Sequence, residues 1–146
     1  MKTFSAVMIL GLALGCPSRA TTPAAKTRGT LREVAARTPF TVSPPRSATI
    51  TNGVPYIVLK KGFGKVRPRD GKRLLIGLSF IAYSATGKIE SETPFTFHDF
   101  DTSNPQWKAV LTQMVAGEIR RMWIREERGT RVYDVELVAL GETPKR

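Results

Sequence analysis

The sequence predicts an α+β domain in which a curved, mostly antiparallel β-sheet wraps around one short α-helix. Three observations favour this fold class. Runs of alternating apolar and polar residues, typical of half-buried strands, recur after residue 50. One segment, residues 105–117, instead carries apolar residues at helical spacing. With 146 residues, of which 41% are hydrophobic, the chain is long enough to bury one core between a sheet and a helix.

The predicted strands occupy five segments of the chain. Residues 56–60 form a short aromatic and β-branched run, and glycine and proline follow it in KGFGKVRPRDG. Residues 74–84 form a long strand whose one face carries Leu74, Ile76, Leu78, Phe80 and Ala82. Residues 95–97 form a brief strand with both phenylalanines on one face. Residues 118–124 and 132–140 complete the sheet, the latter with one face formed by Tyr133, Val135, Leu137 and Ala139.

The predicted helix has recognisable start and stop signals. Asn104 is a favourable N-cap residue, and Pro105 suits the first helical position. Gly117 ends the helical pattern. Apolar side chains repeat at i, i+3, i+4 and i+7, at Trp107, Val110, Leu111 and Met114. On this spacing alone, Trp107 is typical of a residue that anchors a core.

The N-terminal part of the chain indicates export followed by a tether. Residues 1–15 have the form of a secretory signal, and their apolar run is too short to remain as a membrane-spanning helix. The segment LALGC resembles a bacterial lipobox, which implies that Cys16 is lipidated and becomes the mature N-terminus. The alternative is ordinary cleavage after Ala20 in SRA. Either route predicts an exported protein: lipid-anchored in the cell envelope in the first case, and soluble periplasmic or secreted in the second.

The same composition sets the expected domain boundaries. Residues 16–47 are rich in threonine, alanine, proline and arginine, which predicts a flexible tether with at most one or two helical turns around residues 31–36. The folded domain is expected at residues 48–141, and a short tail at residues 142–146.

Composition also argues against several classes of function. The chain has 23 lysines and arginines against 12 acidic residues, a formal charge of +11, but the basic residues are spread along the sequence. We therefore expect contact with an anionic membrane face or envelope polymer rather than specific nucleic-acid binding. His98 is the only histidine, predicted in an exposed loop, and Cys16 is the only cysteine. We expect no metal site, no cofactor and no disulfide within the chain. Nothing in the sequence specifies an oligomeric state.

Five segments within residues 50–140 resemble, in order, those of the FKBP-type peptidyl-prolyl isomerases. They are GVPYIVLKKGFGKVRPRDGKRL, LSFIAYSATGK, PFTF, WKAVLTQMVAGEIRRMWI and VYDVELVAL, and the last two are the most specific. The resemblance implies the FKBP-like fold, with a prolyl pocket between the sheet and the helix. It implies catalytic roles for Phe80, Phe95, Trp107 and Tyr133, with Trp107 as the floor of the pocket. It also implies substrate contacts from Ile89, Glu90 and Asn104.

An enzyme of this kind needs neither a metal nor a nucleophile. It lowers a barrier to rotation about the peptide bond of ~18–20 kcal/mol without breaking a covalent bond. A dry aromatic pocket favours the twisted amide, because its charge separation is smaller than that of the planar amide. The resemblance therefore implies an isomerase whose partners are proline-containing segments of exported proteins.

The sequence also departs from the family pattern near the expected site. In the family a long loop, which contains a tyrosine, precedes the last strand. Here only REERGTR joins the last two strands. Ser103 and Asn104 replace an aliphatic pair before the helix. Two further hypotheses therefore stay open: a module that binds proline-containing segments without turnover, and a domain in which Trp107 is core and the basic surface is functional.

Overall fold

The computed structural model describes residues 29–69, 74–101 and 103–142. Within these residues the chain forms two short helices and one antiparallel sheet of six strands. In chain order the elements are α1 (Leu31–Arg37), β1 (Thr49–Thr51), β2 (Val54–Lys60), β3 (Leu74–Tyr83), β4 (Ile89–Asp99), α2 (Pro105–Leu111), β5 (Ile119–Glu126) and β6 (Gly129–Glu142). The strand order is β1-β2-β5-β6-β3-β4, and the sheet is not closed. The predicted α+β fold class is confirmed.

The main core lies between α2 and one face of the sheet, which we call the inner face. Val110, Leu111 and Met114 of the helical segment are fully buried there. The predicted inward face of β3 is confirmed, and that of β6 is confirmed as far as Leu137. A bulge then reverses the alternation, so that Leu140 packs against this core in place of the predicted Ala139. The buried residues that these two strands contribute are Ile76, Leu78, Ala82, Tyr133, Val135 and Leu137, with Phe80 and Trp107 packed partly buried at one end.

The α2 helix is shorter than the sequence predicts. It ends at Leu111, with Thr112 as its C-cap, rather than continuing to Gly117. The chain after it makes tighter turns, in which the Met114 N–H donates to the carbonyl of Leu111 (3.0 Å). Gly117 has a φ of +83°, and the ring of Phe63 lies against it where a Cβ would be. The apolar spacing therefore predicted the buried face correctly but overestimated the length of the helix.

Two strands are much longer than predicted, and one was missed. β4 extends on both sides of the brief strand predicted at residues 95–97, and β6 extends at both ends. β1 was not predicted; Asn52 and Gly53 both have positive φ in the turn that joins it to β2. The length of β4 could not be predicted from its polar sequence. β4 is an edge strand that is exposed along most of its length, so it shows little apolar alternation.

The outer face of the sheet is covered by part of the segment predicted as a tether. Thr30 and Glu33 form a reciprocal capping box at the start of α1. Leu31 and Ala35 are buried in a second core with Ile81 and Trp123. The one or two helical turns expected around residues 31–36 are thus present as α1, but they pack on the sheet instead of lying in a free tether, and this packing stabilises a helix of only seven residues.

A buried ion pair fastens the chain after α1, residues 38–41, which we call the N-terminal strap. Arg121 and Asp134 lie on neighbouring strands, both almost fully buried, and their side chains form two hydrogen bonds of 2.7 Å. The remaining Nη1 of Arg121 donates to the carbonyl of Pro39 (2.7 Å). The Tyr83 hydroxyl donates to Asp134 (2.7 Å), and the indole N–H of Trp123 donates to the carbonyl of Thr41 (3.1 Å). Both side chains of the ion pair are therefore satisfied by hydrogen bonds without water.

The predicted signal segment, the Cys16 lipidation site and residues 143–146 of the tail lie outside the described residues. Within the part of the chain that the structure describes, no helix is long and apolar enough to cross a bilayer.

Candidate functional site

Three aromatic rings meet where α2 approaches the inner face of the sheet. Trp107 on α2 lies edge-on to Phe80 of β3 and to Tyr133 of β6, with ring centroids 5.2 and 4.9 Å apart. The Phe80 and Tyr133 rings are 6.3 Å apart, also at a steep angle. Edge-to-face packing of this kind is favourable for aromatic quadrupoles. The structure therefore brings together three of the four residues predicted as catalytic.

A small cavity opens beside this cluster. Its volume is about 220 Å³, and Trp107 and Phe80 form part of its wall. The remaining lining residues are Leu78, His98, Ser103, Asn104 and Leu111. Tyr133 stands behind Trp107 rather than in the wall. A cavity of this size and apolar character admits one small ring rather than a large ligand.

The start of α2 is held against the end of β5 by one side chain. The Gln106 amide donates to the carbonyl of Arg125 (2.7 Å) and accepts from the Arg125 N–H (2.9 Å). Asn104 caps the helix by accepting from the Gln106 N–H (2.9 Å). These bonds fix the first turn of the helix, and with it the orientation of Trp107.

Tyr133 is hydrogen-bonded at its hydroxyl group. The hydroxyl donates to the carboxylate of Glu126 in the adjacent strand, and the guanidinium of Arg131 lies 5.7 Å from its ring centroid. Burial, together with the hydrogen bond to Glu126, raises the pKa of Tyr133 to about 12. The phenol is therefore a neutral donor in the physiological range, and its ring forms the fixed back of the aromatic cluster.

We predict that Tyr133 ionises near pH 12 and that Glu126→Gln moves this pKa towards the ordinary tyrosine value of about 10. Between these values the unfolded chain loses the proton while the folded chain keeps it. The free energy of unfolding should therefore fall as the pH rises through this window. NMR titration of the tyrosine Cζ resonances measures the effect. An unchanged Tyr133 pKa in Glu126→Gln would contradict the role given to that carboxylate.

Phe95 does not join the aromatic cluster, which corrects the expectation that it lines the pocket. Its ring lies over Gly77, so close that a Cβ on Gly77 would be 2.3 Å from it. Gly77 alternates with the inward-facing residues of β3, so Phe95 is on the outer face, beside Phe97 at 5.0 Å. The cause is a bulge: Thr93 pairs with Phe80 and Thr96 with Leu78, so two residues of β4 oppose one of β3.

Of the residues predicted to contact substrate, the structure brings only Asn104 to the cavity. Ile89 pairs with Tyr83 at the other end of β4 and lies near Phe40 on the outer face, which corrects the prediction for it. Glu90 forms an exposed ion pair with Arg131. Arg131 in turn lies over the ring of Tyr133, so Glu90 is linked to the aromatic cluster through that arginine. The turn before β4 directs the side chains of Ile89 and Glu90 to opposite sides.

The connection between β5 and β6 is as short as the sequence indicates. Glu126 pairs with Gly129, so only residues 127–128 form the turn, and Gly129 has a φ of +115°. Neither turn residue lines the cavity. The described residues therefore leave the aromatic cavity uncovered on this side.

Sequence reasoning missed His98 as a site residue and placed it in an exposed loop. In the structure it belongs to β4, pairs with Ile76 and lines the cavity partly buried. Its inward position follows from the alternation with Phe97, once β4 is known to continue to Asp99. The Pro-Phe-x-Phe segment predicted a strand at this place. The strand continues through polar residues, which show no alternation of apolar side chains that would predict the extension.

Solved structures similar to this chain share its fold. One is a peptidyl-prolyl cis-trans isomerase from Pseudomonas syringae pv. tomato, with a TM-score of 0.58 and 17% identity, matched over 77% of this chain and 91% of that chain. FkpA from Escherichia coli gives a TM-score of 0.58 and 18% identity over 68% and 54% of the two chains. The three FKBP domains of wheat FKBP73 give 0.52 and 16% over 62% and 47%. No protein-family model and no curated protein matches the chain.

These similarities define the chain as a domain with the FKBP-like fold. An open six-stranded antiparallel sheet with two short helices is the architecture that it shares with them. At identities of 16–18% the agreement concerns the fold. Any activity of the site has to be argued from its own residues.

Proposed function

We propose that this domain is a peptidyl-prolyl cis-trans isomerase that binds the proline ring of an Xaa-Pro segment in the cavity beside Trp107. The observation that supports the proposal most strongly is the cluster of Phe80, Trp107 and Tyr133 next to an apolar cavity of about 220 Å³. The similarity to a structure described as a peptidyl-prolyl cis-trans isomerase is consistent with it.

The proposed mechanism uses the apolar walls and the rigidity of the helix start. The pyrrolidine ring packs on Trp107, and Phe80 and Leu78 exclude water from the Xaa-Pro amide that precedes the ring. Loss of water penalises the planar, more polar amide relative to the twisted one, which lowers the barrier to rotation. Asn104 lines the cavity, and its backbone N–H is proposed to donate to a substrate carbonyl.

A second candidate function is binding without turnover, and the short hairpin favours it. With only residues 127–128 between β5 and β6, no long loop encloses the amide on that side. Water then reaches the bound segment, and the differential stabilisation of the twisted amide is reduced. On this alternative the domain holds proline-containing segments of client chains without accelerating their isomerisation.

The purified full-length chain should separate the two functions. An isomerase accelerates the cis-to-trans conversion of a short Xaa-Pro peptide above the uncatalysed rate, which takes tens to hundreds of seconds. A binding module changes the fluorescence of Trp107 on addition of the peptide but leaves the rate at that of buffer. Absence of both effects at millimolar peptide would overturn the proposal and the alternative together.

We also propose the cell envelope as the setting of this activity, with client proteins that are exported. The proposal is supported by the signal-like segment of residues 1–15 and by the lipobox-like LALGC. Incorporation of radiolabelled palmitate into the wild-type chain and its loss in Cys16→Ala would support lipidation; equal labelling would contradict it.

A further inference from the structure

One residue in the wall of the cavity beside Trp107 has a buried polar atom without a partner. His98 lies on β4, and its side chain shares the wall with Leu78 and Phe80. Its Nε2 is buried and makes no hydrogen bond to any described residue. Buried polar atoms are nearly always hydrogen-bonded, because an unpaired one is unfavourable. An unpaired Nε2 on a residue of the cavity wall therefore indicates a candidate position for a hydrogen bond to a ligand.

Two other polar side chains of the cavity wall are each engaged at one oxygen atom. The Ser103 hydroxyl donates to the carbonyl of Asp99 (3.2 Å). The Asn104 side-chain oxygen accepts from the Gln106 N–H as the helix cap (2.9 Å). The residues of the β5–β6 turn do not reach the cavity. Among the described residues that line the cavity, His98 is distinguished by a side-chain nitrogen that is buried and has no partner.

We propose that His98 is a positioning and specificity residue of the prolyl site, whose Nε2–H donates to a carbonyl oxygen flanking the bound proline. This inference rests on the proposed function. Proline offers carbonyl acceptors but no N–H, so a protein group that orients it by hydrogen bonding has to be a donor. Neutral histidine protonated at Nε2 is such a donor.

The position of His98 determines what the bond selects. His98 is on the sheet and Trp107 is on the helix, so a ligand that contacts both is held from two sides of the cavity. An apolar ring alone satisfies Trp107 but leaves Nε2 unpaired. The site therefore prefers a proline ring within a peptide, with its adjoining carbonyl, over a bare pyrrolidine or an aliphatic side chain.

A direct test uses the fact that His98 is the only histidine of the chain. In the full-length chain with ¹⁵N-labelled histidine, titration with acetyl-Ala-Ala-Pro-Ala-amide should shift the Nε2 and Hε2 resonances and slow the exchange of that proton. Cyclopentane, a ring of the same size without a carbonyl, should shift them less at equal occupancy. Peptide binding that leaves the imidazole resonances unchanged would overturn the proposal.

Substitutions give the second readout. His98→Phe keeps a planar ring but removes the donor, and we expect peptide affinity to fall about five- to tenfold. His98→Gln restores an N–H donor and should recover most of that loss. Thr96→Val, two residues earlier on the same face of β4 and outside the cavity wall, is the matched control and should leave affinity unchanged.

The outcomes separate the two proposals. If the wild-type chain binds the peptide and His98→Phe binds it equally well, the role of His98 is wrong and the proposed function stands. If the wild-type chain binds no prolyl peptide, the proposed function fails and this inference fails with it. If His98→Gln binds as weakly as His98→Phe although both are folded, the donor role is contradicted.

Discussion

Replacing Asp134 by asparagine is expected to destabilise the domain by roughly 3–5 kcal/mol. Asp134 is fully buried and accepts from Tyr83 and twice from Arg121. Asparagine preserves the shape but leaves the guanidinium of Arg121 buried without a counter-charge, and the free energy of unfolding of a whole domain is only about 5–15 kcal/mol. Urea denaturation followed by far-UV circular dichroism measures the change.

The matched control is Glu90→Gln, which makes the same chemical change at an exposed ion pair. The side chains of Glu90 and Arg131 are 45% and 34% exposed, so solvent screens their attraction. We expect this substitution to change the free energy of unfolding by less than about 1 kcal/mol. Equal shifts of the urea midpoint in the two variants would contradict the structural role assigned to the buried pair.

The second large effect is expected from the aromatic cluster. Trp107→Ala should reduce peptide isomerisation to the uncatalysed rate, because it removes the surface on which the proline ring packs. Phe80→Leu keeps an apolar side chain but removes the edge-to-face contact with Trp107. We expect it to lower kcat/KM roughly tenfold, from aromatic packing of about 0.5–1.5 kcal/mol.

Phe95→Leu is the control for that comparison, because Phe95 lies on the outer face over Gly77. It should leave kcat/KM unchanged within about twofold. The pair of phenylalanine variants therefore distinguishes the position seen in the structure from the one that the family resemblance implies. A loss in Phe95→Leu equal to that in Phe80→Leu would restore Phe95 to the pocket and contradict the described register of β4.

What could be predicted from the sequence follows the strength of local patterns. The alternation in β3 and β6 and the spacing of Trp107 to Met114 predicted the inner core, because these elements bury one face each. From the resemblance, Phe80, Trp107 and Tyr133 were correctly brought together. At these positions the spacing of apolar residues and the order of the segments along the chain are enough to predict which side chains lie next to each other.

The errors arise where a neighbouring strand decides the outcome. β4 has a single extra residue opposite Ser79 of β3, and this bulge turns Phe95 outward. After the bulge Thr96 faces inward, and so does His98, two residues further along the strand. No pattern in PFTFHD marks that bulge. The packing of α1 on the sheet was missed for a related reason. Its burial depends on Ile81 and Trp123, which are distant in sequence.

The N-terminal strap determines where the minimal folding unit begins. A shortened chain that starts at residue 48, the boundary expected from composition, would lack the Pro39 and Thr41 carbonyls that accept from Arg121 and Trp123. It would also uncover the apolar outer core on which Leu31 packs. Versions of this domain for expression, fusion or crystallisation should therefore retain the chain from Gly29 onward, including the capping box at Thr30.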